Sequence, residues 1–191
     1  MASNVRFAVQ APAERSSLKR DLLGAVLAGQ VAGLIMAVAL IAIFALFLGT
    51  AWYQPVQLIG AFAWGEEALA GHFFLPAFLT GVVLHQAVAS LGWSLLFGTL
   101  INKVPRTLGN VLALGLATAA VAQLLDTALI VPAIMNRFHG HNLWAENVPL
   151  GWSWLAHGVF GLGFLVYLPV RQWLRRTSRA YSHVASAEVG S

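Results

Sequence analysis

Two histidines stand inside stretches that are otherwise hydrocarbon-like. His85 lies in "VVLHQAVASLGW" (82–93) and His157 in "WLAHGVFGLGF" (154–164). A third stretch, "AVAQLLDTALIVPAI" (120–134), carries Gln123, Asp126 and Thr127, which share a helix face by i, i+3, i+4 spacing. An ionisable side chain at mid-bilayer costs about 2.5–3.5 kcal/mol on insertion scales and normally faces the protein interior with a partner. Three uses of His85, His157 and Asp126 compete. The first is a hydrogen-bonded knot that orients helices, with Asp126 accepting from an imidazole. The second is bis-histidine ligation of a b-type haem by His85 and His157 as cofactor-binding residues. Small residues beside them, Gly81, Ala89 and Gly92 for His85 and Gly161 for His157, would admit the flat macrocycle. The third is proton or ion handling, because imidazole titrates near neutrality. A His-His-carboxylate metal site would want more ligands and second-shell partners than the sequence displays.

The convergence of these residues rests on the elements that carry them. Hydrophobic residues make up 59% of the 191-residue chain and charged residues 9%. A soluble domain carries about 25% charged residues, so this composition belongs in a bilayer. Four apolar segments, about 22–48, 76–101, 108–134 and 149–173, reach the roughly 20 residues that a spanning helix needs. The expected fold is all-α: a polytopic four-helix transmembrane bundle built as two tandem hairpins. Residues 1–20 and 177–191 are expected to be polar tails flanking a transmembrane domain at 21–176. The first segment is too long for a signal-peptide core and reads as a retained helix. His85 and His157 follow Pro76 and Pro149 by nine and eight residues, and Asp126 precedes Ile134 by eight on a helix of opposite direction. At about 1.5 Å per residue all three fall some 12–14 Å below the outer boundary, in one layer.

Charge orients the helices. Arg6, Arg15, Lys19 and Arg20 precede the first; Lys103 and Arg106 join the second to the third; Arg171, Arg175, Arg176 and Arg179 follow the fourth. Of the eleven Lys and Arg residues only Arg137 falls in an opposite loop, so both termini are expected to be cytoplasmic. Trp52, Tyr53, Trp64, Trp144 and Trp152 mark the outer interface. The first outer loop, "AWYQPVQLIGAFAWGEEALAGHFF", is apolar, and from Pro55 to about Ala70 an interfacial helix is expected. "LGAVLAGQVAG" and "LGNVLALGLAT" suggest a weak internal repeat, with Leu23-Gly24 matching Leu108-Gly109 and His85 matching His157. Small-residue stripes, Ala25/Gly29/Gly33/Ala37 and Gly109/Ala113/Ala117, predict close helix contacts.

A second polar group lies outside: Glu66, Glu67 and His72 in one loop, His139, His141 and Glu146 in another. As metal candidates they are weak, since solvated loops look alike. The chain has no cysteine, which excludes disulfides, thiolate metal sites and c-type haem. No nucleophile motif or phosphate loop appears, Ser90 and Ser94 being expected to bond backbone carbonyls, and no enzymatic activity is expected. Nor is there the aromatic-basic interleaving of a nucleic-acid binder. The expected partners are the lipid bilayer and other membrane subunits or further copies of the chain.

"LHQAVASLGWSLLFG", "AVAQLLDTALIVPAI" and "LWAENVPLGWSWLAHGVFG" resemble the YagU-like family of small bacterial inner-membrane proteins. The matching positions are His85 and Ser90, Ala122 and Gln123, Trp144 with Glu146-Asn147, and His157. The similarity spans about the last 110 residues; Asp126 and "WYQPVQLIG" lie outside the pattern. It implies a multi-pass location in the bacterial inner membrane but no biochemical activity, the family having none settled. The expected role is a small accessory membrane protein with a paired-histidine site, b-type haem being its sharpest form. The alternative is a proton- or ion-coupled transport or channel element, oligomeric because four helices leave little room for a gated path.

Overall fold

The computed structural model describes the backbone of residues 13–189 and the side chains of 18–88 and 91–178. Among these residues every regular element is helical. Helix α1 runs Ala13–Leu46 and α2 Gln54–Trp64, followed by a 3₁₀ turn at Gly65–Leu69. Helix α3 is Leu75–Ile101 and α4 Leu108–His139. Helix α5 is the short Leu143–Asn147. Helix α6 covers 150–189, with a 3₁₀ turn at Phe164–Val166. Four stretches, Leu18–Leu46, Leu75–Ile101, Leu108–His139 and Leu150–Ser178, are long and apolar enough to cross a membrane. Their outward faces carry exposed Leu34, Val38, Val83, Leu124 and Leu155. So much exposed hydrocarbon suits lipid better than water.

Several boundaries differ from the sequence reading. The expected tails are partly helical: α1 already begins at Ala13, and α6 continues to Val189. Residues 1–12, with Arg6, and the side chains of Arg15 and Arg179 lie outside the described residues. Arg137 is not in a loop but in the last turn of α4, which a left-handed Gly140 (φ 80°) closes.

Close contacts occur where a side chain is missing. Gly115 of α4 and Gly161 of α6 face each other: a Cβ on Gly115 would stand 2.5 Å from the Gly161 carbonyl, and one on Gly161 2.9 Å from that of Gly115. Gly163 meets Ala32 of α1, and Gly98 of α3 meets Ala25 of α1. In α1 the expected stripe is largely the packed one, since Ala25, Gly29 and Gly33 are buried. In α4 it is not. Gly109, Ala113 and Ala117 are exposed, and the packed line is Val111, Gly115, Thr118, Ala119 and Ala122. Four-residue spacing of small residues marks a possible contact line, but lipid accepts alanine and glycine as readily as a neighbouring helix does. Gly24 packs on Tyr167 whereas a Cβ on Gly109 would meet nothing, so these two positions of the suggested repeat are not equivalent.

Helix α2 packs backbone to backbone on the start of α3. A Cβ on Gly60 would overlap the Ala77 carbonyl, and one on Gly81 the Val56 carbonyl. Gln57, fully buried, ties this corner: its amide nitrogen donates to the carbonyls of Ala68 (2.8 Å) and His72 (3.2 Å), and its oxygen accepts from Phe74 N–H (2.8 Å).

Candidate functional site

Helices α3 and α4 are both interrupted by π-helical turns, Val88–Trp93 and Asp126–Ile130. Such turns are rare and concentrate at functional sites. Here they flank a cavity of about 240 Å³ whose lining includes His85, Asp126, Thr127 and His157. His85, Asp126 and His157, placed together by depth counting, thus line one cavity. Val88 of α3 and Ile130 of α4 line the same cavity and are also exposed.

His157 is buried, and its Nδ1 lies 2.9 Å from the carbonyl of Ser153, one turn earlier in α6. A carbonyl can only accept, so Nδ1 carries a proton. Nε2 then points its lone pair or a second proton at Asp126 Oδ2, 3.6 Å away. With a neutral imidazole and an ionised carboxylate, two lone pairs would face each other. One added proton, on either group, turns that repulsion into attraction.

Ser153 links the pair to a further layer. Its hydroxyl donates to Gln123 Oε1 (2.8 Å), Gln123 Nε2 donates to Thr127 Oγ1 (3.2 Å), and Thr127 Oγ1 donates back to the Gln123 carbonyl (2.7 Å). Gln123 is fully buried, so these bonds satisfy an amide that water cannot reach. Sequence reading found Gln123, Asp126 and Thr127 but missed Ser153. Its signal was a serine at i−4 from an intramembrane histidine.

His85 belongs to the cavity but is held separately. Its Nε2 is 2.9 Å from the Gly33 carbonyl of α1 and must donate to it, which leaves Nδ1 as the lone-pair nitrogen. Two of the four small residues expected to make a haem slot are otherwise engaged. Gly81 is filled by α2 and Gly161 by α4; Gly92 is exposed, the π turn having rotated it away; the Ala89 side chain, like that of Ser90, lies outside the described residues. Trp144, read as an interfacial anchor, is buried and forms part of the cavity wall with Trp93, Phe62 and Phe160.

The outer cluster does not assemble as a metal site. His141 bonds Glu146 (2.8 Å) and lies 3.3 Å from Glu66. His139 Nε2 instead donates to the Phe62 carbonyl (3.1 Å), its ring occupying the space a Cβ on left-handed Gly65 would need. His72 rests against Phe74. Among the described residues no three His, Asp or Glu side chains are grouped closely enough for a metal. His141 is drawn above the usual imidazole range, first by its hydrogen bond to Glu146 and then by the charges of Glu146 and Glu66.

A second polar centre lies at the opposite end of the helices. Asp21 of α1 is fully buried. It accepts from Arg106 in the α3–α4 turn, from Arg171 Nε of α6 (2.6 Å), and from the Tyr167 hydroxyl (2.7 Å). Two cations read as orientation signals are thus also structural ties. The signal was "KRD" at 19–21, an acid inside a basic flank at the edge of an apolar run.

No protein-family model, curated protein or solved structure matches this chain.

Proposed function

We propose that this chain is a proton-handling element of the bacterial inner membrane, the transport alternative of the sequence reading. In this proposal the four long helices cross as a bundle with both termini cytoplasmic, and α2 lies near the outer interface. The convergence of Asp21, Arg106 and Arg171 supports the common side of the three basic flanks. The likeness of the 84–98, 120–134 and 143–161 stretches to the YagU-like family supports the bacterial location. Oligomerisation belongs to the same reading, α3 being the least buried of the four long helices.

The single observation that carries the proposal is the His157–Asp126 contact with Nδ1 of His157 already committed to Ser153. It favours proton handling over a b-type haem. A benzene ring fills a cavity of about 150 Å³, and a porphyrin is several times larger than such a ring. The 240 Å³ present here, with Gly81 and Gly161 already filled by backbone, suits a smaller occupant.

Infrared spectroscopy of the lipid-reconstituted protein across a pH series tests this reading. A protonated-carboxyl band should appear and vanish with pH, be lost in Asp126→Asn and move in His157→Gln. Identical spectra for wild type and Asp126→Asn at every pH would refute it.

A further inference from the structure

The cavity has a chemical polarity that follows from its two histidine tautomers. His85 spends its donor on Gly33 and His157 spends one on Ser153. When the His157–Asp126 pair gives up its shared proton, two imidazole lone pairs and a carboxylate remain. These three are the titratable groups of the lining. A lining rich in acceptors is complemented by a donor, and a carboxylate in an apolar wall is complemented by a cation.

The rest of the wall fits the same ligand. Phe62, Trp93, Trp144 and Phe160 supply four aromatic rings. The indole N–H groups of Trp93 and Trp144 are buried and find no acceptor among the described residues, so beside their rings they leave two donors open. Aromatic faces attract ammonium groups, the more so where water is excluded. As a benzene ring needs about 150 Å³, a cavity of 240 Å³ takes one ring with a short aliphatic arm. Val88 and Ile130 belong both to the lining and to the exposed apolar surface, the side from which an amphiphilic molecule would arrive.

We infer that the cavity binds a small lipophilic ammonium ion, a primary amine on a single apolar ring or a chain of similar bulk. Its N–H groups bond the Asp126 carboxylate and an imidazole nitrogen, and its entry displaces the proton held by Asp126 and His157. The site therefore exchanges proton for cation, one charge for one. This rests on the proton-holding reading above and adds the identity of the competing cation.

The test is calorimetry on the full chain in detergent micelles with 2-phenylethylammonium, run in two buffers of different ionisation enthalpy. The neutral isostere 2-phenylethanol serves as control. The expected result is saturable binding, tightening as pH rises, with a proton released to the buffer. The alcohol should bind at least about tenfold more weakly, having lost the charge-assisted contact. Asp126→Asn should abolish saturable binding and Asp126→Glu should retain it. Alcohol and amine binding alike, or equal uptake by Asp126→Asn and wild type as in simple micelle partitioning, would overturn the inference. The alcohol comparison needs no variant, so a poorly folding mutant cannot rescue it. If the infrared carboxyl signal of Asp126 is present while the amine does not bind, this inference falls alone. If that signal is absent as well, the proton-holding reading falls with it.

Discussion

Replacing Asp21 should be the most destabilising single change at the end of the helices where it lies. Its carboxylate is inaccessible and gathers Arg106, Arg171 and the Tyr167 hydroxyl. Asp21→Leu orphans all three partners at once. Removing one member of a buried pair costs about 3–5 kcal/mol, because the remaining charge stays desolvated. Arg106, with 26% of its side chain exposed, can turn to water, whereas Arg171 at 11% and the buried Tyr167 cannot do so easily. That puts Asp21→Leu near the lower end, at about 3 kcal/mol. Arg106→Leu leaves the carboxylate with Arg171 and Tyr167, and the loss of a partly exposed pair should cost about 1 kcal/mol. The double variant Asp21→Leu/Arg171→Leu removes the least mobile orphan with its partner and should recover part of the loss. Equilibrium unfolding in mixed detergent–dodecyl sulfate micelles reads these differences directly. An Asp21→Leu protein within about 1 kcal/mol of wild type, or a double variant weaker than both singles, would refute the assignment of Asp21 as the tie between α1, α6 and the α3–α4 turn.

Three further outcomes follow from the contacts described. Gly161→Leu forces α6 away from the Gly115 backbone and should cost about 1–3 kcal/mol, whereas Gly158→Leu, where a Cβ meets nothing, should melt like wild type; equal melting of the two would contradict the α4–α6 contact. The His141 bonds to Glu146 and Glu66 strengthen when the ring is charged, so its folded pKa lies above the unfolded value of about 6.5. The tie between α5 and the Gly65–Leu69 turn is then complete below about pH 6.5 and lost as pH rises through the raised value, and a ring titration by NMR should move down in Glu146→Gln. Reporters fused after Gln54 or His139 should read as periplasmic and one after Lys103 as cytoplasmic; a cytoplasmic signal at His139 would break the proposed topology.

What the sequence made legible, and what it hid, divides along polarity. The four spans could be read from length and composition because a bilayer demands about 20 apolar residues whatever their order. The faces of those spans could not. Protein interior and lipid are equally apolar, so Gly109, Ala113 and Ala117 looked like a contact line while Gly115, six residues past Gly109, makes the contact. The π turns compounded this. A regular helix would carry the inward line of Ala122 and Gln123 on through Asp126 and Ile130, yet beyond the turn Val131 and Met135 are the buried residues and Ile130 is exposed. No spacing rule foresees an extra residue in a turn. Polar residues behaved differently, because one placed at depth has few places to go. Gln123, Asp126, Thr127, His85 and His157 therefore lie at the cavity or its hydrogen-bonded wall, while Gly81 and Gly161 beside the two histidines meet neighbouring backbone. Ser153 and Asp21 obey the same rule. Each is a polar residue inside or at the edge of an apolar run, and each is buried and hydrogen-bonded. They escaped notice because serine is common in membrane helices and because Asp21 sits among cations that already had a use. In a chain of this composition the polar residues within the spans are the informative positions, and each should be assigned a partner before any apolar stripe is assigned a neighbour.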